Sequence, residues 1–158
     1  MTDAAEFIDA ALRYEVSPYS YPSDEWDGLE RYGTSIGAVR GTIRDTLRRY
    51  PAMLHDEVTA LCSELWLLPV VERRQAAIVL LQSRVESLVA NDLTRIEGFV
   101  RSAGSPLLIN QLTDDVLLPM FERMDARTRE RVHPVLLRWA SDDDSALAAV
   151  SRRITATL

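Results

Sequence analysis

The chain has no lysine: all 18 of its basic residues are arginine, a bias we attribute to a GC-rich coding sequence rather than to function. One cysteine, Cys62, excludes an internal disulfide. Its apolar neighbours mark it as a small hydrophobe in a reduced cytoplasm. Histidine is nearly as scarce, and His55 and His133 lie far apart with no second ligand at metal-binding spacing, so no metal site is expected. No apolar run approaches the roughly 18 uncharged residues of a membrane span. Asp3 and Glu6 precede any basic residue, and the start lacks the basic stretch and apolar core of a signal peptide. A cytoplasmic protein with no membrane partner is the expectation. Phosphate-cradling glycine loops, Gly-x-Ser-x-Gly and the dinucleotide fingerprint are missing too, which leaves nucleotide hydrolysis and serine-hydrolase chemistry unsupported and no cofactor expected. Strand signals are nearly absent: no sustained alternation of apolar and polar residues, and no Asn-Gly or Asp-Gly turn.

What is present is an ordinary globular composition, 47% hydrophobic and 27% charged over 158 residues. A chain of this length buries about two-thirds of its unfolded surface around one core, so a single domain over 1–158 is expected. The 24 acidic residues outnumber the arginines and set the net charge at −6. That balance disfavours a general nucleic-acid binder, whose electrostatic footprint is basic.

Helical periodicity recurs throughout and predicts an all-α fold. Thr2 caps a first helix to about Tyr14, the Pro18–Pro22 segment breaks it, and a short helix near Ser23–Tyr32 follows. Thr34 or Ser35 opens another that stops at Tyr50, because Pro51 cannot continue it. These N-terminal helices occupy residues 1–50. Val58, Leu61, Cys62, Leu65 and Trp66 then mark the buried stripe of a helix, and Pro69 opens a second with Ala77, Leu80, Leu81 and Leu88 inward. Asn91 or Asp92 caps a helix with Leu93, Ile96 and Val100 inward. The Gly104–Ser105–Pro106 break opens one with Ile109, Leu112, Val116 and Met120. A last pair carries Val132, Val135, Leu136 and Trp139, kinked at Pro134, and then Leu147, Val150, Ile154 and Leu158. First helices start near Asp56, Asp92 and Arg127 and second helices near Pro69, Pro106 and Asp143, a recurrence of about 36 residues that marks a helix-pair repeat. Three pairs over residues 56–158 on N-terminal helices approach the minimum for a stable solenoid; periodicity alone also fits a compact helical bundle.

Several stretches carry a resemblance in their order and spacing: Glu64-Leu65-Trp66-Leu67-Leu68-Pro69, Glu72-Arg73-Arg74-Gln75-Ala76-Ala77, Val116-Leu117-Leu118-Pro119, and Trp139-Ala140-Ser141-Asp142. Together with Ile36-Gly37 ahead of an arginine-bearing helix, the region from Ile36 to about Ala149 resembles the AlkD-like DNA alkylation-repair glycosylases. The resemblance implies a right-handed α-solenoid of HEAT-like helix pairs and excision of alkylated bases. It further implies an aromatic residue, usually Trp, and an aspartate four residues later at the base site, with an arginine in the next repeat on the DNA backbone. These positions fall at Pro106, Asn110 and Ala149, so no catalytic position is intact. A further tryptophan of the family would fall beyond Leu158.

Base removal builds positive charge on the sugar, which a carboxylate stabilises and an aromatic face attracts. Asparagine keeps the carboxylate's shape and loses its charge. A unit-charge interaction at ~4 Å and an effective dielectric near ~20 is worth about 4 kcal/mol, which approaches a thousandfold in rate. Asp114, one helical turn after Asn110, is the remaining candidate carboxylate, against the plainer reading of a solvated surface acid.

Arg40, Arg44 and Arg48 recur every fourth residue on one helix, a spacing able to grip a phosphate backbone. The plainer reading is a solvated face paired with Asp45 and other acids. Arg152 and Arg153 complement the dipole of the last helix, and Asp142–Asp144 supply its cap. Trp26, among Asp24, Glu25 and Asp27, has no assigned role. Two functions follow: a DNA-interacting repair-family protein with lost or weak N-glycosylase activity, or a HEAT-like scaffold that holds a protein partner and has no DNA role.

Overall fold

The computed structural model describes residues 2–15 and 28–158. Among them the regular structure is helical: α1 (Asp3–Tyr14), α2 (Ile36–Arg49), α3 (His55–Leu67), α4 (Val71–Ser83), α5 (Leu93–Ser102), α6 (Pro106–Gln111), α7 (Leu118–Arg123), α8 (Ala126–Ala140) and α9 (Ser145–Thr157). The Trp26 segment lies outside the described residues. The chain divides into two compact units, Met1–Ser83 and Arg84–Leu158.

In the first unit the expected caps are in place. The Thr2 side chain accepts from the Ala5 N–H and that of Ser35 from Ala38, each satisfying a donor that a helix start leaves unpaired. Ala5, Ile8 and Leu12 of α1, and Val39 and Ile43 of α2, turn inward at helical spacing. On α3 the buried stripe runs Val58, Leu61, Cys62, Leu65 and Trp66.

At the centre of this unit α4 packs against α1, α2 and α3. Every residue from Val71 to Leu81 is buried, including the polar run Glu72–Gln75. Glu72 and Arg73 survive burial because their charges are partnered, and the Arg74 guanidinium lies over the Trp66 ring, 5.2 Å from its centroid. Glu72 accepts from the backbone N–H groups of Tyr32 (2.9 Å) and Gly33 (3.0 Å), and Gly33 takes a positive φ of 85° to present its amide. Arg73, 1% exposed, donates to Asp9 at 2.9 Å and to the carbonyl oxygens of Glu64 and Leu65. Asp9 also accepts from Tyr32 Oη at 2.6 Å and from Arg13 Nε at 2.8 Å. Burial pushes the Asp9 carboxyl up, but those hydrogen bonds from Tyr32, Arg13 and Arg73 outweigh it and hold the group below its ordinary value.

Two local expectations are corrected here. The short helix expected near Ser23–Tyr32 is not helical over residues 28–32, where Glu30 forms an isolated bridge with Val70. Its amide donates to Pro69 O and its carbonyl accepts from Val71. The rest of that helix falls outside the described residues. Leu88 does not extend the second helix of the first pair, which ends at Ser83; a 3₁₀ turn, Val85–Ser87, follows instead.

The second unit is organised on α9, which packs against α5, α7 and α8. Gly104, at φ 73°, makes the left-handed corner between α5 and α6, a conformation that favours glycine. Ser105 caps α6 and Pro106 takes its first turn. The helix read from Pro106 onward is not uniform. A π-helical turn, Leu112–Leu117, joins α6 to α7, with Leu118 N–H bonding back to Thr113 O. The wider turn sits just ahead of Pro119, which lacks an N–H and whose ring clashes with the carbonyl four residues back in α-helical register. Helix α8 runs through Pro134 without a break in helical structure. The cap of α9 comes from the expected acid triplet: the Asp144 side chain accepts from Ala146 and Leu147. No helix among the described residues is long and apolar enough to cross a membrane.

Candidate nucleic-acid interface

In the first unit Arg40, Arg44 and Arg48 stand on one face of α2 and are exposed. With Leu47, Val79 and Gln82 they line a groove of about 460 Å³. The expected neutralisation by neighbouring acids is thin. Arg44 meets Asp45 at 4.0 Å with both side chains exposed, and among the described residues Arg40 and Arg48 have no ion-pair partner. Four residues of helix rise about 6 Å, so the three guanidinium groups span about 12 Å along the helix. Three or four phosphates of one strand occupy a similar length of duplex axis, at ~3.4 Å each.

In the second unit Pro106, Asn110 and Ala149 line one cavity of about 230 Å³, with Ile109, Val150 and Arg153 among its other walls. Pro106 and Asn110 are four residues apart on α6, and Ala149 and Arg153 four apart on α9. The π turn that follows Asn110 packs against α9. Pockets for drug-sized ligands run ~300–1,000 Å³, so this one holds a single ring-sized group. Asn110 offers it an uncharged amide, and Pro106 serves the start of α6. Arg153 is the one charged group among the described lining residues. Its guanidinium is paired with Asp114, which lies on the π turn; both side chains are half exposed, at 45%. The helix dipole does not account for Arg153, because no basic residue falls in the last turn of α9. The signal for its position is present in the sequence: it follows Ala149 by the same four residues by which Asp114 follows Asn110.

The residues that carry the family-like pattern form the scaffold. Glu64 accepts from the amide and hydroxyl of Thr2 at 2.7 and 2.8 Å, and Glu72 and Arg73 hold α4 as described. Trp139 is fully buried and donates its indole N–H to Glu97, which also accepts from Arg138 at 3.1 Å. Asp142 pairs with Arg101 through two bonds of 3.0 and 2.6 Å. The Arg101 guanidinium and the Asp144 amide hold the Asp142 carboxyl at about 2. Among the described residues no group of acids, histidines or cysteines could hold a metal ion; His55 instead meets Asp56 at 2.7 Å.

The structural class, then, is an all-helical protein whose pattern residues fasten helix to helix. The chain belongs to the DNA alkylation repair enzyme family, whose model matches residues 7–158. No curated protein and no solved structure matches it.

Proposed function

We propose that this protein engages DNA through the arginine face of α2 and that its N-glycosylase activity is lost or weak, on a right-handed solenoid of HEAT-like helix pairs. The observation that carries the reading is the row Arg40, Arg44 and Arg48, exposed and scarcely neutralised among the described residues, in a chain of net charge −6. Uncompensated cations in such a chain are the local exception that a phosphate backbone requires. Membership of a DNA-repair family supports the same partner. The lost or weak activity rests on Pro106, Asn110 and Ala149 at the positions where the resemblance requires an aromatic, a carboxylate and a guanidinium.

Fluorescence anisotropy of a labelled duplex at several salt concentrations tests it. Binding should be weak and fall steeply with salt, and Arg40→Gln, Arg44→Gln and Arg48→Gln should each lower the slope of log K against log salt by about 0.9 for every phosphate that is no longer neutralised. An affinity and slope left unchanged by the triple substitution would overturn the assignment of α2. The excess of acid favours a second reading, a HEAT-like protein-interaction scaffold with no DNA role. Absence of duplex binding even at low salt would leave that reading standing.

A further inference from the structure

The cavity of the second unit has a cationic rim that the protein itself occupies. Arg153 lines the cavity beside Ala149 and Val150, and its guanidinium is held by Asp114, which reaches it from the π turn after Asn110. Each partner stands one helical turn beyond a position where the family-like site is changed. Both side chains are half exposed, so the pair is neither locked by burial nor shielded from a competing anion. Exposed pairs of this kind are worth little. The neighbouring walls Pro106, Ile109, Ala149 and Val150 carry no charge of their own.

We infer that Arg153 is a phosphate-binding group at the mouth of this cavity and that Asp114 is its internal competitor, displaced when a phosphate arrives. A guanidinium offers forked donors that match phosphate as well as carboxylate. The exchange therefore trades one charge-assisted pair for another while the anion gains the space beside Asn110. The inference rests on the DNA reading only for the source of the phosphate, which there is a phosphodiester of the backbone. It gives Asp114 a sign opposite to that of a relocated catalytic carboxylate: removing its charge should improve binding, whereas a catalytic carboxylate would lose excision with no gain in phosphate affinity.

The test uses two probes on the full chain: inorganic phosphate, followed by the NMR signal of the Arg153 guanidinium, and a fluorescein-labelled short duplex, followed by anisotropy. Asp114→Asn, with Asp114→Ala as a second variant, should tighten phosphate binding about two- to fivefold, the factor to which the free energy of an exposed ion pair converts. Arg153→Gln should abolish phosphate binding at this position, and the gain from Asp114→Asn in duplex affinity should vanish in its background, because the effect acts through that one partner. Asp143→Asn, which removes the same charge from an exposed residue just before α9, should leave phosphate binding unchanged. Unaltered or weaker phosphate binding in both Asp114 variants overturns the inference, as does an equal gain in duplex affinity without Arg153. A gain in phosphate affinity without duplex binding supports the site and removes the DNA reading. Duplex binding through α2, with duplex and phosphate affinity both indifferent to Asp114, keeps the DNA reading and removes the site.

Discussion

Arg101 and Asp142 show how a residue that looks functional in a short motif acts as a fastener. Their paired hydrogen bonds join the end of α5 to the loop before α9, and the Arg101 guanidinium is the leading reason that the Asp142 carboxyl titrates at about 2 rather than 3.8. Since the folded value lies below the ordinary one, this pairing contributes stability that is present above 3.8 and is lost as pH falls toward 2. A carboxyl-resolved NMR titration should find Asp142 at that low midpoint, and Arg101→Gln should move it back up; a midpoint indifferent to Arg101 would refute the assignment. Asp9 follows the same direction within a more buried network, its carboxyl held below the ordinary value against the opposing effect of burial. Asn110 is a residue of another kind. It is exposed and lines a cavity, and nothing in the surrounding packing requires an amide there. Restoring Asn110→Asp alone should create no release of alkylated purine in a chromatographic assay, because Pro106 offers no aromatic face and Ala149 no guanidinium; measurable excision from that single variant would refute the proposed dependence on all three positions.

Among the elements, α4 is the most completely enclosed, and its stability should be the most sensitive to truncation. Leu80 is fully buried, so Leu80→Ala should cost about 2–5 kcal/mol in chemical denaturation, combining lost transfer free energy with the cavity left behind. Leu137 on α8 is 58% exposed, and Leu137→Ala should stay within about 0.5 kcal/mol. Equal costs at the two sites would show the burial of α4 to be misplaced. The element boundaries were largely legible because caps and breakers act locally: Thr2 and Ser35 supply an acceptor to a helix start, Pro51 and Pro106 lack a backbone donor, and Gly104 takes the left-handed corner that favours glycine. The π turn was not legible, although Pro119 that follows it was in plain view. A proline tells where a helical register must yield, but whether the helix ends, kinks or widens depends on what packs around it. The burial of Glu72 and Arg73 was equally hidden, because their partners Tyr32, Gly33 and Asp9 lie far away in sequence.

For the whole molecule the activity expected is an absence: purified protein should release no alkylated purine above background from methylated duplex DNA. Release that Asp114→Asn abolishes would install Asp114 as a relocated carboxylate and set aside both the loss of activity and the competitor role. The all-helical fold, most of the helix boundaries and the family were determined by the sequence itself, because apolar spacing, caps and motif order are local properties of the chain. Leu61, Leu65, Leu80, Leu112 and Leu136, expected inside from spacing alone, are all buried. What the sequence left open was how charge is disposed in space. It contains 18 arginines, but it does not say that Arg73 is sealed against Asp9, that Arg40 and Arg48 stand without acidic partners among the described residues, or that Arg153 lies across from Asp114 at the edge of a cavity. The pairing of a charge is set by distances between residues tens of positions apart, and those distances come into being only when the helices pack.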